Sequence, residues 1–430
     1  MASLNKVIIR QCETYDDLDR IRGIVKEGLE ELGVKPQGKV LLKPNLIFAH
    51  SRYGRHGFTH PNIVGSIIDV VASLPEVEKI TIGERTGVGI PTRYVFKEAG
   101  YGPLRKKPKV KVSFFDEDPM VEVEFKKGTV HRKLKMPKAL VEADYKIYAP
   151  KLKHHVSTKI TCALKLNIGI CDSQQRLIGH DWRLEEKIAD LYEVGHPDFV
   201  VVDGVFGCQR CEVVPTPLPI GVIMMGTSGV AIDSVAARIM GFDPAEINHL
   251  RIARERGWEP VRDDDIEIVS EIPFEKIREK TKDLDRTFHD PRTVDTPIRF
   301  YFGNYPGGKD ICGTGCINMI KTYLAVQDAS SPGSLTKAQP VAVVIGEYEG
   351  DVDGKGFPIL MVGDCTKIKG EVKGKTRRIK GCPVFVPDFT IPACHYFKIP
   401  SPYVDPKAML GIPYYAAVQS IKKLSNLGSR

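Results

Sequence analysis

Short runs of β-branched and other apolar residues alternate with amphipathic segments over the first 290 residues, and this alternation constrains the fold most strongly. It is typical of a mainly parallel sheet flanked by helices. The runs predicted as strands are 6–11, 39–45, 79–84, 111–116, 146–151, 198–204 and 221–226. The segments predicted as helices are 16–32, 61–74, 183–194 and 230–240. We therefore expect an α/β fold in this part of the chain.

The composition changes near residue 291. From there, loops rich in glycine and proline separate two apolar runs, 340–346 and 358–363, and only 316–328 reads as a helix. A chain of 430 residues also exceeds what one core usually organises. We predict an α/β domain over residues 1–290 and a smaller, cysteine-containing domain of the iron-sulfur type over residues 291–430.

Four cysteines in the C-terminal part have a spacing that predicts metal ligation. Cys312 and Cys316 flank Gly-Thr-Gly, Cys365 follows an apolar run in Gly-Asp-Cys, and Cys382 lies in Gly-Cys-Pro. A Cys-Pro step recurs where thiolates hold an iron-sulfur cluster, whereas structural zinc usually takes two closely spaced cysteine pairs. The spacing favours a [4Fe-4S] cluster, with zinc as the alternative and unligated thiols as a third interpretation.

The other cysteines of the ten have less decisive surroundings. Cys208 and Cys211 form a Cys-x2-Cys step that is either a labile dithiol or metal site, or a loop with incidental cysteines. Cys394 is followed by His395, and this pair either supplies another ligand or packs beside the site. The rest lie in or beside apolar stretches and read as small buried hydrophobes.

Polar side chains stand where several predicted strands end. In parallel sheets these ends share one edge, where ligands of such folds bind. The residues concerned are Lys43, Asn45, His60, Glu84, Lys151, Lys153, His154 and Asp203. Lysines and histidines converging on one edge indicate an anionic ligand such as a carboxylate or a phosphate. We expect these residues to line one cleft as exposed side chains.

Several common nucleotide and hydrolase motifs are absent from the sequence. No Gly-x-Gly-x-x-Gly follows the first strand, and neither a Gly-x4-Gly-Lys-Ser/Thr loop nor a Gly-x-Ser-x-Gly elbow occurs. Dinucleotide binding, nucleoside-triphosphate binding and serine hydrolysis by those mechanisms are therefore disfavoured.

A series of motifs occurs in order between about residues 38 and 245: Lys43-Pro44-Asn45, His60-Pro61, Gly83-Glu84, Pro150 to His154, Lys165, Gly169, His180, Asp203-Gly204 and Asp233. Together these motifs resemble the domain of unknown function numbered 362. The resemblance implies an iron-sulfur companion domain, and it adds Lys165, Asn167 and His180 to the expected site. The chain departs from the family pattern at Asn167, which is displaced by one residue, and in the loop 207–212.

These features lead to one preferred function and two alternatives. The preferred reading is a [4Fe-4S] redox enzyme of anaerobic metabolism, acting on a small anionic substrate with Lys153, His154 and Lys165 as candidate catalytic residues. One alternative is a non-redox lyase or isomerase of a hydroxy acid, in which Lys153 or His154 is the general base. The other is a non-catalytic module for electron transfer or cluster delivery.

The net charge of +8 points to the kind of macromolecular partner. Much of the excess positive charge lies in the basic run 367–380, which we predict to be a Gly/Lys hairpin. This run either is a solvated face or attracts an acidic electron carrier such as a ferredoxin or flavodoxin. No aromatic residues interleave it, so nucleic acid is disfavoured as a partner.

No apolar run approaches the roughly 20 residues that span a bilayer, and the N-terminal stretch does not resemble a secretion signal. We expect a cytoplasmic protein, and a homo-oligomer is compatible with the sequence.

Overall fold

The computed structural model describes residues 5–50, 54–87, 89–285, 289–402 and 405–427. The chain forms two compact units. The first comprises Met1–Ser173, Glu185–Arg286 and Gly411–Arg430, and the second comprises Gln174–Leu184 and Thr287–Leu410. The main change of unit, after residue 286, is close to the predicted boundary at 290/291. The predicted division did not foresee that 174–184 belongs with the second unit and 411–430 with the first.

The first unit contains the mostly parallel sheet that the sequence predicts. Its strands are β1 (Asn5–Gln11), β2 (Gly38–Pro44), β3 (Val77–Glu84), β4 (Val110–Phe114), β5 (Met120–Glu124), β6 (Lys133–Pro137), β7 (Tyr145–Ala149), β8 (Lys151–His155), β9 (Lys159–Thr161), β10 (Phe199–Gln209), β11 (Thr216–Gly226) and β12 (Ile266–Ser270). The order in the main sheet is β12-β1-β11-β10-β7-β2-β3-β4. Strand β11 is antiparallel to both neighbours, and the other pairs along this order are parallel.

Three short strands lie outside that order. Strand β8 pairs with β10 in parallel and with β9 in antiparallel orientation. Strands β5 and β6 form a separate antiparallel ribbon. Strands β7 and β8 are separated by a single residue, and both pair with β10. Strand β8 therefore runs along the second half of β10 and directs alternate side chains to opposite faces.

Helices flank this sheet. They are α1 (Leu18–Glu31), α2 (Pro61–Ala72), α3 (Thr92–Glu98), α4 (Lys138–Val141), α6 (Leu184–Gly195), α7 (Gly229–Ile239), α8 (Asn248–Glu255) and α9 (Phe274–Glu279). The short helix α5 (Ser173–Leu177) lies mostly in 174–184, which belongs to the second unit. Helix α1 begins where the side chain of Asp17 accepts the N–H of Arg20, and it buries Ile21, Ile24 and Val25. Helix α2 begins after His60, whose ring accepts the N–H of Asn62. The α/β fold is confirmed.

The second unit has a smaller parallel sheet of its own. Its strands are β13 (Arg299–Phe302), β14 (Ala342–Tyr348), β15 (Val352–Asp353), β16 (Ile359–Ile368), β17 (Val372–Lys373) and β18 (Thr376–Ile379), and its helices are α10 (Cys316–Ser330) and α11 (Val386–Phe397). The sheet order is β13-β14-β16-β18, with every pair parallel. One apolar core joins α10 and α11 to this sheet, through side chains such as Ile320, Leu360 and Phe389.

Two sequence expectations for the C-terminal part are wrong. Helix α11 and the final helix α12 (Pro406–Leu427) were missed, because Pro392 and Pro413 lie inside them and proline usually ends a helix. The basic run 367–380 is not a hairpin, since β16 and β18 pair in parallel rather than antiparallel orientation. Across the described ranges, no helix is both long enough and apolar enough to span a membrane.

Candidate functional site

The ends of β2 and β3 bring a lysine and a glutamate together in the first unit. The amine of Lys43 lies 2.7 Å from Oε2 of Glu84, and both side chains are buried. Gly169 covers this pair so closely that a Cβ on it would stand 2.1 Å from Oε1 of Glu84 and 2.7 Å from the amine of Lys43. Gly169, one of the motif residues in the sequence, has no side chain and therefore leaves room for the ion pair.

A second group gathers around Asp203, which lies within β10 just before the irregularity at Gly204–Phe206. We call Asp203, Tyr15, His60 and Lys151 the Asp203 group. The carboxylate accepts hydrogen bonds from the hydroxyl of Tyr15 at 2.9 Å, the backbone N–H of His60 at 2.9 Å and the amine of Lys151 at 3.0 Å. The Lys151 amine also donates to the Tyr15 hydroxyl at 2.6 Å. The rings of Tyr15 and His60 stack with centroids 3.8 Å apart.

Sequence reasoning missed Tyr15, although a signal for it existed. Strand β1 is antiparallel to β11, and β11 is antiparallel to β10, so β1 and β10 run in the same direction. The loop after β1, which carries Tyr15, therefore lies at the same sheet edge as Asp203. Applying the strand-end rule to the first strand as well would have included Tyr15 in the site.

The Asp203 group holds a neutral imidazole. Burial lowers the pKa of His60 to about 4, with the charge of Lys151 adding to the effect and that of Asp203 opposing it. The Nδ1 atom of His60 accepts the N–H of Asn62 at 3.2 Å, so the neutral ring carries its hydrogen on Nε2. Burial and the Asp203 carboxylate raise the pKa of Tyr15. Both side chains are therefore neutral hydrogen-bond donors at neutral pH.

Lys153 is the least compensated cation of the site. Its amine contacts Oδ1 of Asn45 at 3.3 Å and the carbonyl oxygens of Gly57 and Glu212 at 2.8 and 3.1 Å, none of them a carboxylate oxygen. Burial lowers its pKa to about 8. The expectation of an open cleft is wrong, because Lys43, Lys151 and Lys153 are each no more than 1% exposed. Loops cover the strand ends and satisfy the amines internally.

His154 does not share the surroundings of Lys153. Successive strand residues face opposite sides, and the ring of His154 lies 2.8 Å from the carbonyl oxygen of Arg210 and stacks on Phe242 with centroids 6.1 Å apart. The expected convergence of these two residues is therefore wrong in geometry. His155, which faces the same side as Lys153, places Nε2 3.6 Å from Oε1 of Glu212.

Asp233 and Lys165, which belong to the motifs that carry the family resemblance, have different surroundings from each other. Asp233 accepts the backbone N–H groups of Ala163 and Leu164 at 2.6 and 3.1 Å, just before the 3₁₀ turn that carries Lys165. The charge of Lys165 contributes to the lowered pKa of Lys153, which indicates that the two amines are neighbours.

Asn167 and His180 lie in different compact units. The amide of Asn167 accepts the Tyr148 hydroxyl at 2.7 Å and donates to the carbonyl oxygen of Leu164 at 3.1 Å. His180 belongs to the second compact unit, whereas the other residues of the expected ligand site belong to the first. Sequence order alone did not reveal that 174–184 leaves the first unit.

Cys208 and Cys211 are buried near Lys153. The thiol of Cys208 donates to the carbonyl oxygen of His56 at 3.0 Å, and the sulfur of Cys211 accepts the N–H of Val213 at 3.4 Å. Burial raises the pKa of Cys208 to about 11 and also raises that of Cys211. These are the properties of inert buried thiols.

In the second unit, Cys312, Cys316, Cys365 and Cys382 form what we call the cysteine group. Cys316 is the first residue of α10, and its sulfur would lie 3.4 Å from a Cβ on Gly363, whose φ of +101° favours glycine. The sulfur of Cys312 would lie 2.7 Å from a Cβ on Gly315.

Two hydrogen bonds connect the segments that carry the other two thiols. The N–H of Asp364 donates to the carbonyl oxygen of Gly381 at 3.1 Å, and the N–H of Gly381 donates to Oδ1 of Asp364 at 2.9 Å. Because Asp364 precedes Cys365 and Gly381 precedes Cys382, these bonds bring the two cysteines side by side. The cysteine group therefore gathers at one place in the fold.

The thiols of the cysteine group influence one another electrostatically. Burial raises the pKa of Cys312 to about 11 and that of Cys316 to about 12, and neighbouring cysteines add to both shifts. Backbone N–H groups of Gly315 and Val384 donate to the sulfurs of Cys312 and Cys316 and oppose the shifts. Within the part of the chain that the structure describes, no three Cys, His, Asp or Glu side chains are positioned to hold a metal ion.

Sequence reasoning also missed residues of 174–184 beside the cysteine group. The hydroxyl of Thr314 donates to the carbonyl oxygen of Asp181, and the guanidinium of Arg183 lies 2.7 Å from Oδ2 of Asp181. The Asp181 carboxylate raises the pKa of Cys312 and Cys382, while Arg183 lowers that of Cys382. By contrast, Cys394 is buried, and its sulfur contacts the hydroxyl of Tyr323 at 3.6 Å.

Two known proteins and one family model are similar to parts of this chain. The chain is 26% identical over 250 residues to the thylakoid-associated protein sll1697 of Synechocystis sp., an alignment that covers 54% of this chain and 74% of that protein. The lactate racemase apoprotein of Thermoanaerobacterium thermosaccharolyticum matches with a TM-score of 0.35 at 15% identity, over 54% of this chain and 57% of that one. Residues 40–238 match the family model "Domain of unknown function (DUF362)", which ends before the cysteine group. This match bears out the resemblance that the motifs of the first unit predicted.

Proposed function

We propose that this chain binds a [4Fe-4S] cluster through Cys312, Cys316, Cys365 and Cys382 and uses it in a redox reaction on a small anionic substrate. The single observation that carries the proposal is that four cysteines from three separate segments meet in one region of the second unit, where backbone N–H groups donate to two of the sulfurs. Such N–H donors are among the features that tune cluster potentials.

The donor set fits an iron-sulfur cluster by its chemistry. Four thiolates around a cluster core of charge about +2 leave about −2, so nearby cations stabilise the loaded site. Arg378 supplies one. Burial raises the pKa of Cys365 and the charge of Arg378 opposes that rise, while the Arg378 guanidinium donates to the carbonyl oxygen of Gly363 at 2.8 Å. The proposal requires the thiols to turn toward the bound group, since they are not positioned as ligands without it. Zinc remains the alternative occupant.

An anionic substrate is supported by the surroundings of Lys153 in the first unit. The buried amine contacts no carboxylate oxygen, and the charge of Glu212 offsets its burial only in part, so a bound anion would stabilise its charged form. The nearby Lys165 adds a second positive charge. With a pKa of about 8, Lys153 also exchanges a proton readily near neutral pH, which suits a general acid or base. Access to the amine requires the loops carrying Gly57 and Glu212 to open.

The cofactor part of the proposal is tested by anaerobic purification followed by iron and sulfide analysis and electron paramagnetic resonance. We expect about four iron and four sulfide atoms per chain, and the loss of the reduced-state signal when any member of the cysteine group is replaced by serine. Cys394→Ser is the matched control, because its sulfur lies against Tyr323. If the protein contained zinc and no sulfide, the four cysteines would bind zinc and not a cluster. If the protein stayed free of metal after anaerobic reconstitution, the proposal of a metal site would be overturned.

The reaction class is tested with a panel of short hydroxy- and oxo-carboxylates on the reconstituted protein. Substrate-dependent bleaching of the cluster absorbance supports redox catalysis, and Lys153→Met should weaken substrate binding. Turnover without a redox change would support the lyase or isomerase instead. Transfer of iron to an apo-protein, with no turnover, would support cluster delivery. Reduction of the cluster by an acidic ferredoxin or flavodoxin would identify the electron carrier.

A further inference from the structure

The basic run 367–380 is not one uniform charged surface. Lys367 lies 2.7 Å from Glu347, Lys369 lies 3.1 Å from Glu349, and Lys373 lies 3.3 Å from Glu371. The guanidinium of Arg378 donates to the carbonyl oxygens of Gly363 and Thr366, each at 2.8 Å. These four cations are therefore already used within the fold.

Three cations of the run remain available. Lys375, Arg377 and Lys380 are exposed and form no ion pair within the described ranges of the chain. Arg377 and Lys380 line a groove of about 500 Å³ between β18 and α11, and its other side includes Ile391, Pro392 and Tyr396. Ile391 is 62% exposed, which is unusual for a large apolar side chain. The groove thus combines a basic rim with an apolar wall.

The same groove has unpaired backbone groups along one side. Strand β18 is the last strand of its sheet. The N–H of Ile359 donates to the carbonyl oxygen of Lys375, so in the parallel pattern Arg377 and Ile379 also direct their backbone groups toward β16. Thr376 and Arg378 then direct their N–H and C=O groups away from the sheet. A further strand placed there would find donors and acceptors at the normal spacing.

Helix α11 contributes one more acceptor to the groove. Pro392 lies inside the helix and has no N–H, so the carbonyl oxygen of Asp388, four residues earlier, lacks its usual helical donor. Asp388 itself lines the groove and is exposed. Its carboxylate is the one negative charge in the lining, against the positive charges of Arg377, Arg378 and Lys380.

We propose that the groove between β18 and α11 binds an extended, acidic segment of a partner protein, which adds as a strand to the edge of β18. Its backbone pairs with Thr376 and Arg378, its acidic side chains meet Arg377 and Lys380, and its apolar side chains contact Ile391 and Tyr396. A second copy of this chain is a poor occupant, because pairing two β18 edges would bring Lys375, Arg377 and Lys380 of each copy together.

The position of the groove connects it with the cysteine group. After the end of β18 at Ile379, the chain continues through Lys380 and Gly381 to Cys382. Arg378 of the same strand holds the carbonyl oxygen of Gly363, two residues before Cys365. A partner seated on β18 would therefore dock next to the cysteine group. The proposal rests on the proposed function only in identifying that partner as an electron carrier, and strand addition itself requires no metal.

The test is a selection of random eight-residue peptides displayed on phage, with the full-length protein as bait, performed on metal-loaded and metal-free protein. We expect the enriched peptides to be acidic and to alternate acidic with β-branched residues. Enrichment of basic or uncharged peptides, or no enrichment, would overturn the proposal. Because the selection is also run on metal-free protein, a failure to enrich acidic peptides can be told apart from a failure to bind the cluster.

Two kinds of change then examine how the enriched peptides bind. The double variant Arg377→Gln/Lys380→Gln should weaken binding roughly tenfold or more, whereas Lys367→Gln/Lys369→Gln, with the same loss of charge outside the groove, should change it less than about twofold. Thr376→Pro removes an outward N–H and should abolish binding. N-methylation at alternate peptide residues should do the same without altering the protein.

Other results would reject the assignment. Unchanged affinity of N-methylated peptides would exclude strand addition even if Thr376→Pro failed to fold. Equal loss in both double variants would mean that only net charge matters and not the groove. A concentration-dependent dimer that Thr376→Pro dissociates would identify a second copy of this chain as the occupant.

Discussion

The amine of Lys151 lies 3.0 Å from Oδ2 of Asp203, and both side chains are at most 1% exposed. Removing one partner of a buried pair leaves an uncompensated charge that costs about 3–5 kcal/mol. We therefore expect Asp203→Asn to lower the free energy of unfolding by roughly that amount. Equilibrium denaturation in urea measures the change.

The control for this variant is an exposed ion pair. Glu142 lies 3.4 Å from Lys138, and both side chains are about half exposed. Glu142→Gln should change the unfolding free energy by less than about 0.5 kcal/mol. If Asp203→Asn were equally mild, Lys151 would have to be neutral or hydrated in the folded protein, contrary to its contacts.

A second prediction compares two glycines. Gly169→Ala places a Cβ 2.1 Å from Oε1 of Glu84, so the Lys43–Glu84 pair must separate or the turn must move. Because a buried ion pair is disrupted, we expect a loss of about 3 kcal/mol or more. Gly23, inside α1, has nothing within 4 Å of a new Cβ. Gly23→Ala should instead stabilise the protein by about 0.5–1 kcal/mol, through helix propensity.

Thermal unfolding of both glycine variants and the wild-type protein measures the contrast. The two substitutions add the same methyl group, so general effects of alanine cancel. A Gly169→Ala protein as stable as the wild type would mean that the space over Glu84 is not filled as described.

Strand ends were predictable from the sequence because parallel strands share an edge. The sequence therefore placed Lys43, Glu84, Lys151 and Asp203 at one sheet edge, and the structure shows that they form the pairs Lys43–Glu84 and Lys151–Asp203. Burial of the lysines was not predictable, since it depends on loops whose packing has no periodic signal. The division between Lys153 and His154 was predictable from strand alternation, once β8 was recognised as a strand.

The C-terminal unit shows where sequence patterns fail for physical reasons. Proline removes a helical hydrogen bond, so Pro392 argued against α11, yet the helix is stabilised by burial of Phe389 and Phe397 in the core. Likewise, four cysteines spread over 312–382 could be assigned to one group by spacing. Their approach through the Asp364–Gly381 hydrogen bonds depends on parallel pairing of β16 with β18, which a basic run does not signal.

A third prediction concerns the pH dependence of stability through Lys153. Its pKa in the folded protein is about 8, below the ordinary value of about 10.4 for the unfolded chain. As pH rises from about 8 to about 10.4, the folded protein loses this proton first, so the unfolded state binds more protons. The unfolding free energy should therefore rise by up to about 1.4 kcal/mol per pH unit in that window.

The contribution of Lys153 is isolated by comparing variants at several pH values. Lys153→Met should lack the rise, so the difference between wild type and variant should change with pH. Lys26→Met removes an exposed lysine of α1 and should run parallel to the wild type. Parallel curves for all three proteins would show that the Lys153 amine is not desolvated in the folded state.

The last prediction separates two adjacent arginines of β18. Arg378 donates to the carbonyl oxygens of Gly363 and Thr366, and its charge opposes the rise in the pKa of Cys365 that burial causes. Arg377 is exposed and lines the groove. A cation beside the cluster favours its reduced, more negative state. Arg378→Gln should therefore lower the midpoint potential of the reconstituted protein and cost about 1–3 kcal/mol of unfolding free energy, because buried carbonyl groups lose their donors. Arg377→Gln removes the same charge one residue away, and it should leave the stability within about 0.5 kcal/mol and shift the potential less. Redox titration and urea denaturation measure both quantities, and identical shifts for the two variants would mean that the basic run acts only as diffuse surface charge.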